Sequence, residues 1–184
     1  IKRLLALMDN PERRFRIIHV TGTNGKGSVT AMLAAVFKTA GIRAAMYTSP
    51  HLNDYTERMI VDGQPVSREQ FAAAVSQTSR LVAAMVARGE EHPTEFEVLT
   101  AAAFACFAAA RVEYAVVEVG LGGLLDSTNV VSPEVAIITN VALDHTDRCG
   151  PAIADIARHK AGIIKPGVPV VTAARGEADR KSVV

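Results

Sequence analysis

Cysteine is scarce in this chain: Cys106 and Cys149 are the only two among 184 residues, too few for a disulfide framework and without metal-ligand spacing. Charge of one sign is equally lacking. Twenty basic residues stand against nineteen acidic ones, a formal net charge of +1, which removes the electrostatic basis for a nucleic-acid or membrane partner. Long apolar runs are missing too. No uninterrupted stretch reaches the ~18 residues of a membrane span, and no secretory leader opens the sequence. The expectation is a cytoplasmic monomer. What is present, 49% hydrophobic and 21% charged residues, is the composition of a globular domain with one core. Cys106, inside an Ala/Phe-rich segment, is expected in that core, and Cys149 as a bystander thiol beside a charged loop.

Strand and helix patterns alternate along the chain. A short amphipathic stretch over residues 2–8 stops at Asn10-Pro11. Residues 16–20 read as a buried strand running into a glycine-rich loop. Over residues 26–40 the apolar side chains Val29, Met32, Leu33, Val36 and Phe37 recur at helical spacing, and Gly41 ends the helix. Residues 44–47 form a second strand, and Asp62-Gly63 lies between extended segments as a hairpin turn or a strand end. Ser67-Arg68-Glu69-Gln70 is a capping box for a helix to about residue 87, and an alanine-rich helix covers residues 94–111. Residues 114–119 and 135–139 are continuous β-branched runs, suited to parallel strands covered on both faces. A helix over 153–163 and a strand over 168–172 complete the series. The pattern predicts an α/β domain with a mostly parallel sheet and helices on both faces over residues 1–174, followed by a polar tail, 175–184.

The strongest chemical signal is Gly22-Thr23-Asn24-Gly25-Lys26-Gly27-Ser28, between a strand and a helix. A helix start offers unpaired N–H groups and the positive end of a dipole, so it accepts phosphate. The glycines let backbone wrap the oxygens, Lys26 neutralises their charge, and Ser28 reaches a phosphate or Mg²⁺. The spacing departs from G-x-x-x-x-G-K-[ST]: Val20 stands at the first glycine position and Gly27 follows the lysine.

Further candidates fall at the carboxyl ends of predicted strands, where open α/β sheets bind ligands. Glu118 closes an apolar strand, and a carboxylate there is costly unless an ion pair or a metal offsets it; the metal is the reading adopted. Asp144-His145-Thr146-Asp147 follows the strand over 135–139 and adds a second hard-ligand candidate. Gly120-Leu121-Gly122-Gly123 is a flexible turn where backbone approaches a ligand, and Ser49 offers a hydroxyl after the second strand. By themselves Ser49 and Lys160 are ordinary residues.

In order, the loop above, Tyr47-Thr48-Ser49-Pro50-His51-Leu52, Glu118-Val119-Gly120-Leu121-Gly122-Gly123, Asp126-Ser127-Thr128-Asn129, Asn140 with Leu143-Asp144-His145-Thr146, and Lys160-Ala161-Gly162-Ile163-Ile164-Lys165 resemble the folylpolyglutamate synthase/dihydrofolate synthase family. That family lies within the Mur-ligase superfamily. The resemblance implies a Mur-ligase central domain and an ATP-dependent ligase that adds L-glutamate to dihydropteroate or reduced folates through an acyl phosphate, with ATP and Mg²⁺ as cofactors. It implies that residues 22–28 bind the ATP phosphates and that Ser49 and Glu118 hold one Mg²⁺. It further implies that His145, with Lys160 if carbamylated, supports a second metal, giving Lys26, Glu118, His145 and Lys160 catalytic roles. Thr94, Glu95 and Phe96, with Leu125, Asp126 and Ser127, correspond to segments that contact the pterin-bearing substrate.

Two positions depart from the family pattern. Leu124 stands where an arginine is usual, and His159 where an acidic residue commonly precedes the lysine. The family also carries a carboxy-terminal glutamate-binding domain with no counterpart in this sequence, so the chain is expected to be truncated and weakly active alone. The alternatives weighed are a non-catalytic nucleotide-binding remnant and a Mur-type ligase for a cell-wall precursor.

Overall fold

The computed structural model describes residues 1–175, so all but the first residue of the expected polar tail lies outside the described residues. In chain order the elements are α1 (Lys2–Leu7), β1 (Arg16–Thr21), α2 (Lys26–Thr39), β2 (Ala44–Tyr47), β3 (Met59–Val61), β4 (Gln64–Pro65), α3 (Arg68–Val86) and α4 (Glu95–Ala109). They continue with β5 (Tyr114–Glu118), β6 (Val135–Ile138), α5 (Thr146–Cys149), α6 (Ile153–Ala161) and β7 (Val170–Thr172). One sheet runs β4-β3-β2-β5-β1-β6-β7. Its strands from β2 to β7 pair in parallel, and the β3–β4 hairpin adds an antiparallel edge.

Burial explains why the central strands lack strict alternation. Ile17, Ala115 and Val117 join a core with Leu4 and Leu5 of α1, Val82 and Met85 of α3, and Phe104 and Phe107 of α4. Ile18, Val20 and Val116 point the other way, onto Val29, Leu33 and Phe37 of α2. Both faces are covered, as an apolar parallel strand requires. The five-residue stripe of α2 divides here: Met32 and Val36 are 64% and 62% exposed, because the sheet covers one flank of the helix. Ala101, Ala102 and Ala103 of α4 are fully buried in the core that this helix shares with α3 and the strands.

The helix starts follow their local chemistry. Ser67 accepts from the Gln70 N–H at 3.2 Å while Gln70 Oε1 accepts from the Ser67 N–H at 2.8 Å. Thr94 and Glu97 form a second box of the same kind. The sequence pattern does not show the 3₁₀ turns Pro11–Arg13, Tyr55–Arg58 and Ser127–Val130, nor the single turn of α5, which are too short to display a period. Cys106 is in the core as expected. Cys149, after the charged loop, is 4% exposed at the end of α5. Among the described residues no helix is long and apolar enough to cross a membrane.

Candidate functional site

Register assembles the site at the carboxyl edge of the parallel strands. Val20 pairs with Glu118 and Thr21 with Ile138, so the loop after β1 opens between the ends of β5 and β6. Helix α2 starts from Gly25 at φ 80°, without a side-chain cap. Its first internal hydrogen bond runs from the Val29 N–H to the Gly25 carbonyl at 2.9 Å. The N–H groups of Lys26, Gly27 and Ser28 therefore have no carbonyl within the helix and point out of its start, the arrangement that takes an anion. Lys26 Nζ folds back to donate to the carbonyls of Gly22 (3.0 Å) and Thr23 (3.3 Å).

Residues distant in sequence hold this loop. Asn140 Oδ1 accepts from the N–H groups of Thr23 (3.1 Å) and Asn24 (2.9 Å), and Thr139 Oγ1 donates to the Asn24 carbonyl at 2.6 Å. Thr21 Oγ1 donates to the Gly122 carbonyl at 2.6 Å, tying the loop to the glycine turn after β5. Gly22 has φ 154°, and a Cβ there would overlap Thr139 Oγ1 and come within 3.2 Å of the Asn140 nitrogen. Gly22→Ala is expected to cost about 2–4 kcal/mol of stability, from backbone strain and overpacking together. Chemical denaturation checks it, and a loss below about 0.5 kcal/mol would mean that the strand end yields freely.

Glu118 is 5% exposed, and its Oε2 accepts from the Ser49 N–H at 3.3 Å. The carboxylate faces the helix start: a Cβ on Gly27 would lie 3.5 Å from Oε2 and 3.8 Å from Oε1. Burial raises the Glu118 pKa, opposed by the Ser49 N–H and the Lys26 charge. Three of the predicted elements, Ser49, Glu118 and the loop around Gly27, thus meet in one place. A buried carboxylate beside a hydroxyl-bearing residue is a set of hard oxygen donors suited to Mg²⁺.

Lys160, at the end of α6, is 3% exposed. Burial lowers its pKa to about 8; Lys26 adds to that, while Cys149 and Asp144 oppose it. No ion pair to Lys160 is formed among the described residues. His145 is half-exposed. It precedes α5 with φ 47°, its ring is 49% exposed, and its Nε2 lies 3.6 Å from Asp144 Oδ2. Among the described residues no three His, Cys, Asp or Glu side chains converge as a metal set.

The segments expected to touch an acceptor flank the glycine turn. Phe96 stacks on Tyr47 with centroids 6.1 Å apart and presses on Gly120, where a Cβ would fall 2.5 Å from its ring. Thr94 caps α4, and Glu95 accepts from the Tyr55 hydroxyl at 2.9 Å. Asp126 Oδ2 accepts from the Leu121 N–H at 2.9 Å, and its Oδ1 from the N–H and hydroxyl of Thr128 at 2.9 and 2.5 Å. The Ser127 hydroxyl is buried without a partner among the described residues, and Leu125 is 82% exposed. Leu124 points half outward while its N–H donates to the His159 carbonyl at 2.7 Å, so the departure from arginine leaves that backbone contact in place. The imidazole of His159 keeps its Nδ1 buried and without a partner among the described residues.

His19 is the residue that sequence reasoning missed. Inside a run of apolar strand residues it reads as filler, yet it is fully buried and its Nε2 lies 2.9 Å from Thr128 Oγ1. Burial, aided by the charge of Lys165, pulls its pKa down to about 3. The folded protein therefore holds His19 neutral where the unfolded chain, near its ordinary 6.5, takes up a proton. Its contribution to stability is complete above pH ~6.5 and falls by at most about 1.4 kcal/mol per pH unit toward pH ~3. Denaturation of wild type and His19→Gln across that window should show the steeper loss in wild type; parallel curves would contradict it.

Fold and site together define the class: an α/β domain whose open helix start follows the first parallel strand, beside a buried carboxylate on the next. The Mur ligase middle domain matches residues 20–174, and the chain belongs to that family. Within it, the chain is similar to the dihydrofolate synthase/folylpolyglutamate synthase of Bacillus subtilis (strain 168), 44% identical over 174 residues, 94% of this chain and 40% of that protein. It is 43% identical over 173 residues to the folylpolyglutamate synthase of Lacticaseibacillus casei, again 94% of this chain and 40% of that one. The apo form of L. casei FPGS superposes with a TM-score of 0.94 at 40% identity, over 98% of this chain and 45% of that chain. The Mycobacterium tuberculosis folylpolyglutamate synthase complexed with ADP and AMPPCP gives 0.92 at 40% identity, over 98% and 42%. The chain spans about 40% of the length of the curated relatives it matches.

Proposed function

We propose that this chain is the nucleotide-handling domain of an ATP-dependent ligase that joins L-glutamate to dihydropteroate or a reduced folate. The observation that carries the reading is the meeting of Glu118, Ser49 and the uncapped start of α2 at one sheet edge. The family supplies the class of reaction, and similarity to folylpolyglutamate and dihydrofolate synthases supplies the acceptor.

The acceptor carboxylate attacks the γ-phosphorus of ATP, giving an acyl phosphate and ADP. The glutamate amine then attacks the acyl carbon; the amide forms, phosphate leaves and the amine loses its proton. Such transfers depend on positioning and on neutralising phosphate charge. The N–H groups of Lys26, Gly27 and Ser28 hold the phosphates, with the backbone of residues 22–25 shaping the cradle. Lys26 Nζ, resting on two loop carbonyls, turns to the β- and γ-oxygens. Ser49 and Glu118 would hold Mg²⁺, which typically binds through one or two carboxylates together with substrate phosphates and water. Bound there, the ion supplies charge neutralisation at the phosphates. His145 and a carbamylated Lys160 would serve a second ion; burial that weakens the charge of Lys160 favours the neutral amine that carbon dioxide modifies. Thr94, Glu95, Phe96, Leu125, Asp126 and Ser127 border the acceptor, and a monomer in the cytoplasm belongs to the same reading.

ADP release by the full-length protein, with ATP, Mg²⁺ and L-glutamate, tests it when dihydropteroate and tetrahydrofolate are offered separately. Release that depends on either acceptor is the expected result, and the preferred one names the activity. Nucleotide binding with no acceptor-dependent release would replace the ligase by a non-catalytic nucleotide-binding relative.

A further inference from the structure

We propose that His19 is a positioning residue for the acceptor side of the site, holding Asp126 in place through the Thr128 hydroxyl. The inference rests on the ligase reading, in which Asp126 borders the acceptor.

The directions of the hydrogen bonds follow from chemistry. An ionised carboxylate only accepts, so the single hydroxyl proton of Thr128 goes to Asp126 Oδ1, 2.5 Å away. The contact between His19 Nε2 and Thr128 Oγ1, at 2.9 Å, must then be donated by the imidazole. This makes His19 the Nε2–H tautomer and leaves Nδ1 a bare acceptor, and that Nδ1 is buried without a partner among the described residues. His19 and Thr128 are both fully buried, so the contact between them is screened from bulk solvent.

An unpartnered buried nitrogen is costly, and an aliphatic side chain at position 19 would avoid the cost. What the histidine adds is the one donor that orients Thr128. The Thr128 hydroxyl and N–H hold Oδ1, the Leu121 N–H holds Oδ2, and the carboxylate is fixed beside Gly120 and Phe96. A second tie secures the same segment. Lys165 Nζ donates to Asn129 Oδ1 at 2.8 Å, and Asn129 Nδ2 donates to the carbonyls of Leu124 and Gly162 at 3.0 Å each. The 3₁₀ turn Ser127–Val130 is therefore tied to the buried centre of β1 on one side and to the end of α6 on the other. His19 is the link from the strand that leads into the phosphate loop.

The test measures KM for the folate acceptor and for ATP, with kcat, in the full-length protein. His19→Leu is expected to raise the acceptor KM about tenfold, the loss of one buried hydrogen bond, with the ATP KM within twofold. His19→Gln, whose amide reaches with an N–H near Nε2, should recover most of the change. Should His19→Leu fail to fold, Thr128→Val against Thr128→Ser decides: Val raises the acceptor KM and Ser restores it. An unchanged acceptor KM in folded His19→Leu or Thr128→Val, or equal rises for both substrates, overturns the positioning role alone. Wild-type protein that releases no ADP with any folate acceptor overturns the ligase reading and this inference with it.

Discussion

Lys26→Ala in the full-length protein is expected to reduce acceptor-dependent ADP release by about 10²–10³-fold, the effect of removing a preorganised charge from a transferring phosphoryl group. Fold stability should change little. Among the described residues, the Lys26 ammonium makes hydrogen bonds to two carbonyls of its own loop and to no other element. Net contributions of that kind are on the order of 1 kcal/mol. Nucleotide binding should weaken less than turnover, because the N–H groups of the helix start and its dipole remain. Calorimetric titration with a non-hydrolysable nucleotide, beside kcat from ADP release, separates the two quantities. Turnover close to wild type would remove Lys26 from the chemistry and leave the loop as a binding element alone.

Glu118→Gln should abolish turnover to a similar extent, about 10²–10³-fold, while leaving the protein as stable as before or more stable by about 1–2 kcal/mol. The direction follows from burial. Glu118 is 5% exposed and has one donor among the described residues, the Ser49 N–H at 3.3 Å. An ionised carboxylate in that position is poorly compensated within the fold. The glutamine carbonyl still accepts from Ser49, and the uncompensated charge is gone. Thermal denaturation and a Mg²⁺ titration of ADP release give the two readouts. Lower stability with activity retained would make Glu118 a structural partner of Ser49.

Local residues carry much of this. The loop 22–28 is recognisable because each contribution, glycine freedom, a lysine and a helix start, lies within one short segment. The buried strands were readable from their continuous β-branched runs, and the capping box at Ser67 from four adjacent residues. Glu118 was legible for a different reason, as a carboxylate in an apolar run. The divided stripe of α2 was not, since helical spacing shows which residues share a side but not how far a neighbouring sheet extends.

Contacts between distant residues stayed hidden. Ser49 and Glu118 are 69 positions apart and Asn24 and Asn140 are 116 apart. Each pair exists because β5 lies between β2 and β1, with β6 on the far side of β1. Asn140 is part of the recognisable pattern, yet its task of holding two N–H groups of the loop 22–28 is fixed by register. His19 gave no signal, since its partner Thr128 is 109 residues away on a turn too short to show a period.

The sequence by itself determined the parallel α/β domain, the glycine-rich loop leading into a helix start and the family, because hydrophobic period, glycine placement and contiguous motifs are properties of neighbouring residues. Only the tertiary structure decided that Ser49 meets Glu118, that Asn140 holds the loop, that His145 stays at the surface and that His19 reaches Asp126 through Thr128. Strand order and register set those distances, and no local pattern encodes either.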